Sequence, residues 1–88
     1  MKVQFTRKFT KDVAAIRDAQ LRRRVQQVIF RVEEAGSLLE LADVKKLEGS
    51  DQFFRVRIGD YRVGFVLEND TVVFMRLLHR SDIYKNFP

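Results

Sequence analysis

Between Phe53 and Phe65 the chain reads Phe-Phe-Arg-Val-Arg-Ile-Gly-Asp-Tyr-Arg-Val-Gly-Phe. Apolar and polar residues alternate on both sides of Gly59-Asp60, the pattern of two antiparallel strands joined by a tight turn. A two-residue turn sets Ile58 opposite Tyr61, Val56 opposite Val63 and Phe54 opposite Phe65, all on one face. The other face then carries Arg57 directly across from Arg62, with Arg55 two residues along. Like charges facing each other across a ladder oppose folding. Something outside the fold must therefore favour them, and three guanidinium groups on one rigid hairpin suit a phosphate.

The remaining periodicities say what packs against this hairpin. Lys2-Val3-Gln4-Phe5-Thr6 alternates as a short first strand. From Lys8 the period becomes helical, with Phe9, Val13, Ala14 and Ile16 on one side and Thr6 or Thr10 as the N-cap. Leu21, Val25, Val28, Ile29 and Val32 form the apolar stripe of a second helix. Asp18-Ala19-Gln20 separates the two helices, and Gly36 is placed as the C-cap of the second. Ser37 to Ser50 lacks clean alternation and reads as a connecting loop pinned by its leucines. Strands follow at about 53–58, 61–67 and 71–79, and Ser81 to Phe87 as a single helical turn.

The second hairpin poses a choice of register. A two-residue Asn69-Asp70 loop would put Arg76 among the apolar side chains, and burying an unpaired Arg is costly. A three-residue Glu68-Asn69-Asp70 loop with Asp70 left-handed instead places Arg76 opposite Arg62 and sends Val73, Met75 and Leu77 to the core. This register aligns Arg57, Arg62 and Arg76, and Gly64 leaves open space beside Arg55. The arginine face would also carry Val66, Val72, Phe74 and Leu78, apolar surface that a partner, stacked bases or the chain's own tail must cover. The expected fold class is α+β: an N-terminal strand, two helices on one face of a twisted antiparallel sheet of about four strands, and a short C-terminal helical turn.

Composition narrows the chemistry. Eighty-eight residues, 45% of them hydrophobic and eight of them Phe, support one domain spanning 1–88. With no cysteine and His79 as the one histidine, neither a disulfide framework nor a thiolate or histidine zinc site is expected. No metal and no cofactor are expected. The absence of cysteine suits a reducing cytoplasm. Met1 to Thr10 is polar and basic rather than a signal peptide, and no stretch approaches a membrane span. Seventeen basic residues, eleven of them Arg, against twelve acidic ones give a net charge of +5. That balance attracts nucleic acid, an anionic membrane or an acidic protein, and equally describes a merely basic surface.

Lys45-Lys46-Leu47-Glu48-Gly49, then Phe-Arg-Val-Arg-Ile-Gly-Asp-Tyr-Arg-Val from Phe54 to Val63, then His79-Arg80-Ser81-Asp82-Ile83-Tyr84, following a strand and two helices, resemble the RelE/ParE superfamily of bacterial toxins. The likeness runs through the whole chain in order. It implies the toxin of a type II toxin–antitoxin pair, with a cognate antitoxin as partner. RelE-like members are endoribonucleases that cut mRNA in the A site of the small ribosomal subunit. ParE-like members share the fold but inhibit DNA gyrase without a comparable ribonuclease site.

RelE-type cleavage, as the resemblance implies it, is metal-independent attack by the RNA's own 2′-OH on the adjacent phosphodiester. Arg55 and Arg57 stand where RelE-like toxins carry a basic strand pair, and Arg62 matches the Arg of their Tyr-Arg motif. The best-known active toxin has lysines in the strand pair. Arginine does not readily move protons, so the acid–base work falls to His79, the residue type that titrates near neutrality, or to Tyr84, whose ring can also stack on a base. Arg80 matches a basic family position, whereas Leu78 stands where another arginine can occur. The expected catalytic set is Arg57, Arg62, His79, Arg80 and Tyr84, and the expected RNA-binding set is Lys45, Lys46, Arg55 and Arg76, with Lys46 closer to the family position. The bland alternatives are a structural His79, a Tyr84 that only anchors the tail, and arginines that bind acidic antitoxin residues alone. Arg22-Arg23-Arg24 reads as a solvated face or a contact to ribosomal RNA.

Overall fold

The computed structural model describes residues 1–88. Strand β1 (Lys2–Phe5) leads into helix α1 (Arg7–Ala14) and helix α2 (Ala19–Glu34). Thr6 is the N-cap of α1, its hydroxyl oxygen accepting from the Phe9 amide at 3.1 Å while its proton goes to the Met75 carbonyl at 2.9 Å. One side chain thus starts a helix and ties it to the sheet. Asp18 caps α2 by accepting from the amides of Gln20 and Leu21, so Ala19 and Gln20 belong to the helix rather than to the break. At the far end the expected Gly36 cap is absent. Ala35 ends α2 in an extended conformation, and the Met1 nitrogen donates to the carbonyls of Val32, Glu33 and Ala35, taking over the task of a left-handed glycine.

The segment expected as a plain loop contains a 3-10 turn at Leu38–Glu40, closed by a Ser37–Glu40 capping box, and a further strand, β2 (Val44–Lys46). Then come β3 (Phe53–Ile58), β4 (Tyr61–Glu68), β5 (Thr71–His79) and a last turn of helix, α3 (Ile83–Asn86). The sheet has five strands in the order β1-β5-β4-β3-β2, one more than expected. β1 runs parallel to β5 and every other pair is antiparallel.

The first hairpin has the expected register, with Val56 opposite Val63 and Arg57 opposite Arg62, and Gly59 at φ 57° in the turn. The second does not. Its loop is the two-residue Asn69-Asp70 turn, with Asn69 rather than Asp70 at positive φ (55°). A β-bulge between Gly64 and Phe65 of β4, opposite Met75, then shifts the pairing by one residue. Before the bulge Val72 and Phe74 face the helices and are fully buried. After it Leu77 regains the same face. The bulge removes the dilemma posed by Arg76: the short loop is kept, yet Arg76 lies opposite Gly64, not Arg62 and not Val63.

The main core joins α1 and α2 to one face of the sheet through Phe9, Leu21, Val25, Val28 and Val32 against Val56, Ile58, Val63, Phe65, Val72, Phe74 and Leu77. The opposite face is covered by the tail. Ile83 and Phe87 are buried there, Phe87 meets Phe53 edge-on at 5.7 Å, and a Cβ on Gly64 would lie 2.8 Å from the Phe87 ring. The space beside Arg55 expected to be open is therefore the seat of Phe87, whose burial contributes roughly 1.5–3 kcal/mol.

Candidate functional site

Sheet alternation decides which basic side chains can act together. Arg55, Arg57 and Arg62 share the face that the tail partly covers, and β2 adds Lys45, which pairs directly with Arg55. Residues that pair directly share a face. Lys46 pairs with Phe54 on the opposite face and reaches Asp51 at 3.8 Å in an exposed ion pair. Of the two lysines, Lys45 is the one that extends the row. Its place was not readable because β2 is three residues long and has no alternation of its own.

The tail brings the remaining members. α3 carries Tyr84, 64% exposed, over the row, and Arg55 Nε donates to the Tyr84 hydroxyl oxygen at 3.2 Å. That bond uses an oxygen lone pair and leaves the phenolic proton free to be donated elsewhere. Arg62 is held in place by two bonds from one terminal nitrogen, to the carbonyls of Gly59 and Tyr61, each 2.9 Å. Its guanidinium sits below the ordinary arginine pKa. Partial burial is the main cause, followed by the positive charges of Arg57 and Arg55, with Arg80 adding to them and Tyr84 acting in the opposite sense. Arg55, Arg57, Arg62, Arg80 and Tyr84 therefore form one electrostatic unit.

Two expected members are elsewhere. Arg76 is clamped by Asp12 of α1, with Nε–Oδ2 at 2.8 Å and a second bond at 3.2 Å, and the same carboxylate accepts from the Leu77 amide at 2.9 Å. The Asp12 hydrogen bond is the chief reason that the Arg76 pKa lies above its ordinary value. This corrects the expected Arg57–Arg62–Arg76 row: Leu78 stands opposite Arg62, and Arg76 joins α1 to β5. Nothing in the helix pattern marks Asp12 as its partner. His79 pairs with Tyr61, which packs against the helix-side core, and the two rings meet edge-on at 5.6 Å. His79 Nδ1 lies 2.9 Å from the Ser81 hydroxyl and 3.2 Å from the Ser81 amide, which donates to it. By register His79 faces away from Arg57 and Arg62.

Chemically, the unit offers four fixed positive charges and one hydroxyl, an arrangement that binds a phosphodiester and can hand it a proton. No group of three or more His, Cys, Asp or Glu side chains is placed to hold a metal ion. No helix is long and apolar enough to cross a membrane.

Comparison with known proteins identifies the family of this fold. Residues 3–84 match the family model described as the ParE toxin of the type II toxin–antitoxin system parDE. Toxin RelE3 of Methanocaldococcus jannaschii is 38% identical over 89 residues, covering 100% of both chains. Among solved structures, the RelB-RelE antitoxin-toxin complex from Methanococcus jannaschii matches with a TM-score of 0.80 at 34% identity, covering 97% of this chain and 99% of that one. The archaeal RelE-RelB complex from Pyrococcus horikoshii OT3 matches with a TM-score of 0.73 at 25% identity, over 90% of this chain and 93% of the other. The full-length match in sequence and in fold places this chain in the RelE/ParE superfamily of type II toxins.

Proposed function

We propose that this chain is a ribosome-dependent endoribonuclease that cleaves mRNA without a metal ion and is neutralised in the cytoplasm by a cognate antitoxin. The observation that carries the reading is the charge unit around Arg62: a half-buried guanidinium crowded by Arg57 and Arg55, its pKa lowered first by burial and then by these charges, beside a hydroxyl bonded to Arg55. Such a cluster is poorly stabilised when empty and gains most from a ligand whose negative charge grows during reaction. The phosphorane formed when a 2′-OH attacks its own phosphodiester is that ligand. Arg57, Arg62 and Arg80 hold its nonbridging oxygens, Arg55 and Lys45 hold the adjoining backbone, and Tyr84 donates its free proton to the departing 5′-oxygen. The cluster contains no comparable base for the 2′-OH, since His79 faces the other way, so that proton passes to a nonbridging phosphate oxygen or to solvent as the 2′-oxygen attacks. This supports a need for the ribosome, which would hold the RNA in line for attack.

An antitoxin partner is supported by the RelB complexes of the similar archaeal proteins and by the net charge of +5, which favours an acidic binding segment. Induced expression followed by primer extension on cellular mRNA tests the activity. New 5′ ends should appear with the wild type and vanish with Arg62→Ala and with Tyr84→Phe while the fold is kept. The match to the ParE family model favours a second reading, inhibition of DNA gyrase. Loss of plasmid supercoiling with mRNA left intact would establish it in place of the first.

A further inference from the structure

Outside the arginine row, the structure has a second basic concavity, about 490 Å³, where α2 passes the outer edge of β3. It exists because β2 is short. β2 pairs only with residues 54–56 of β3, so the outer edge at Arg57 and Ile58 has no neighbouring strand. Arg57 lines this groove while also acting on Arg62 in the row. It is the link between the two sites, around the open end of the sheet.

From α2 the groove receives Arg23, Gln27 and Phe30, which recur at helical spacing along one exposed stripe, together with Arg31. Arg31 is tied to Asp43 at 3.1 Å, an ion pair half open to solvent, so the lining remains positive after that pairing. Phe30 is 62% exposed. A single exposed Phe is ordinary on a protein surface. Here it stands in a cleft between guanidinium groups and a side-chain amide, the combination that takes a phosphate, a base face and a base edge at once. The volume lies within the roughly 300–1,000 Å³ of small-ligand sites, enough for a nucleotide and too small for a duplex.

We propose that this groove is a second RNA subsite that takes one unpaired nucleotide, its base stacked on Phe30 and its phosphate between Arg23 and Arg57. The inference rests on the reading that RNA is the substrate, and it extends the path of the strand from the arginine row around the open edge of β3. An acidic peptide would use the arginines but leave the aromatic face and the amide without a matching group, so RNA fits the lining better. The nucleotide comes either from the cleaved message or from ribosomal RNA, which present the same chemistry.

Fluorescence anisotropy with a labelled ten-residue oligouridine tests the subsite. Phe30→Ala should weaken binding about fivefold or more, because stacking is lost, and Phe30→Trp should restore it. Arg23→Gln should lower the dependence of log affinity on log salt by about 0.7, one phosphate contact on a single strand. Both residues are on the exposed side of α2, and circular dichroism checks that the fold is kept. The proposal is overturned if wild type does not bind the oligonucleotide, or if both Phe30→Ala and Arg23→Gln bind within twofold of wild type. It is also overturned if these changes weaken only the antitoxin. A photo-crosslinking amino acid at position 30, in the ribosome-bound toxin, should capture mRNA or ribosomal RNA and so identify the source; capture of neither overturns it. The parent reading fails separately: Phe30-dependent binding with no mapped mRNA cleavage removes the nuclease and keeps the subsite. Mapped cleavage with a Phe30-independent affinity does the reverse.

Discussion

Arg57→Gln should make this protein more stable and less active. Arg57 stands directly across from Arg62 in the first hairpin, and Arg62 also feels Arg55 and Arg80. Arg57 itself is exposed and donates no hydrogen bond within the protein, unlike Arg62, which bonds two carbonyls. Its removal therefore relieves repulsion without stranding a partner. A directly opposed like-charged pair costs about 0.2–1 kcal/mol, and the two further arginines put this case in the upper half, about 0.5–1 kcal/mol. In a domain of this size that raises the melting temperature by about 2–8 °C. The gain should be largest at 0.01 M salt, where the screening length is about 30 Å, and nearly vanish at 1 M, where it is about 3 Å. Arg57→Lys, which keeps the charge, should show little of it. Thermal unfolding followed by circular dichroism at both salt concentrations measures the effect, and mRNA cleavage by the same variant should fall about tenfold or more. If Arg57→Gln lowers the melting temperature, or shifts it equally at both salt concentrations, the row is not held against its own repulsion and needs no anionic ligand to account for it.

Three further outcomes follow from other contacts. Gly64→Ala should cost about 1–3 kcal/mol by overpacking against the Phe87 ring, but almost nothing in a Phe87→Ala background; additive costs in the double-mutant cycle would show that the two do not touch. Asp12→Ala should destabilise by about 3–5 kcal/mol, because it strands a largely buried Arg76 and the Leu77 amide; chemical denaturation reads it, and a loss under 1 kcal/mol refutes the clamp. The raised Arg76 pKa means that its stabilising contribution is complete below the ordinary arginine range and is lost only as pH rises through the still higher folded value, so it adds no pH dependence near neutrality. His79→Ala should retain most of the cleavage that Tyr84→Phe loses, since His79 lies with Tyr61 on the other face; equal losses in a primer-extension assay would return the proton chemistry to His79.

Much of this architecture was legible because local periodicity and long-range burial agreed. The hairpin from Phe53 to Phe65 could be paired residue by residue, since its turn length and both faces gave one answer. The two helices were readable from their stripes, and the tail's role as a cover was among the expected possibilities. The β2 strand was not readable, because three residues beside a longer partner carry no period that can be told from a loop.

The row of Arg57 opposite Arg62 was determined by sequence alone, because a two-residue turn and strict alternation leave no other pairing. Only the tertiary structure decided who shares the site with them. A single bulged residue in the second hairpin reverses the faces on either side of it, and alternation cannot reveal it because the apolar residues on both sides of Arg76, from Val72 to Met75 and at Leu77 and Leu78, suit either face. That bulge frees Arg76 for Asp12 and buries Val72 and Phe74 beneath the helices. The tail then seats Phe87 over Gly64 and brings Tyr84 to Arg55. Those contacts join residues from 12 to 87 in the chain, and such pairings are chosen by packing in three dimensions rather than by any local pattern.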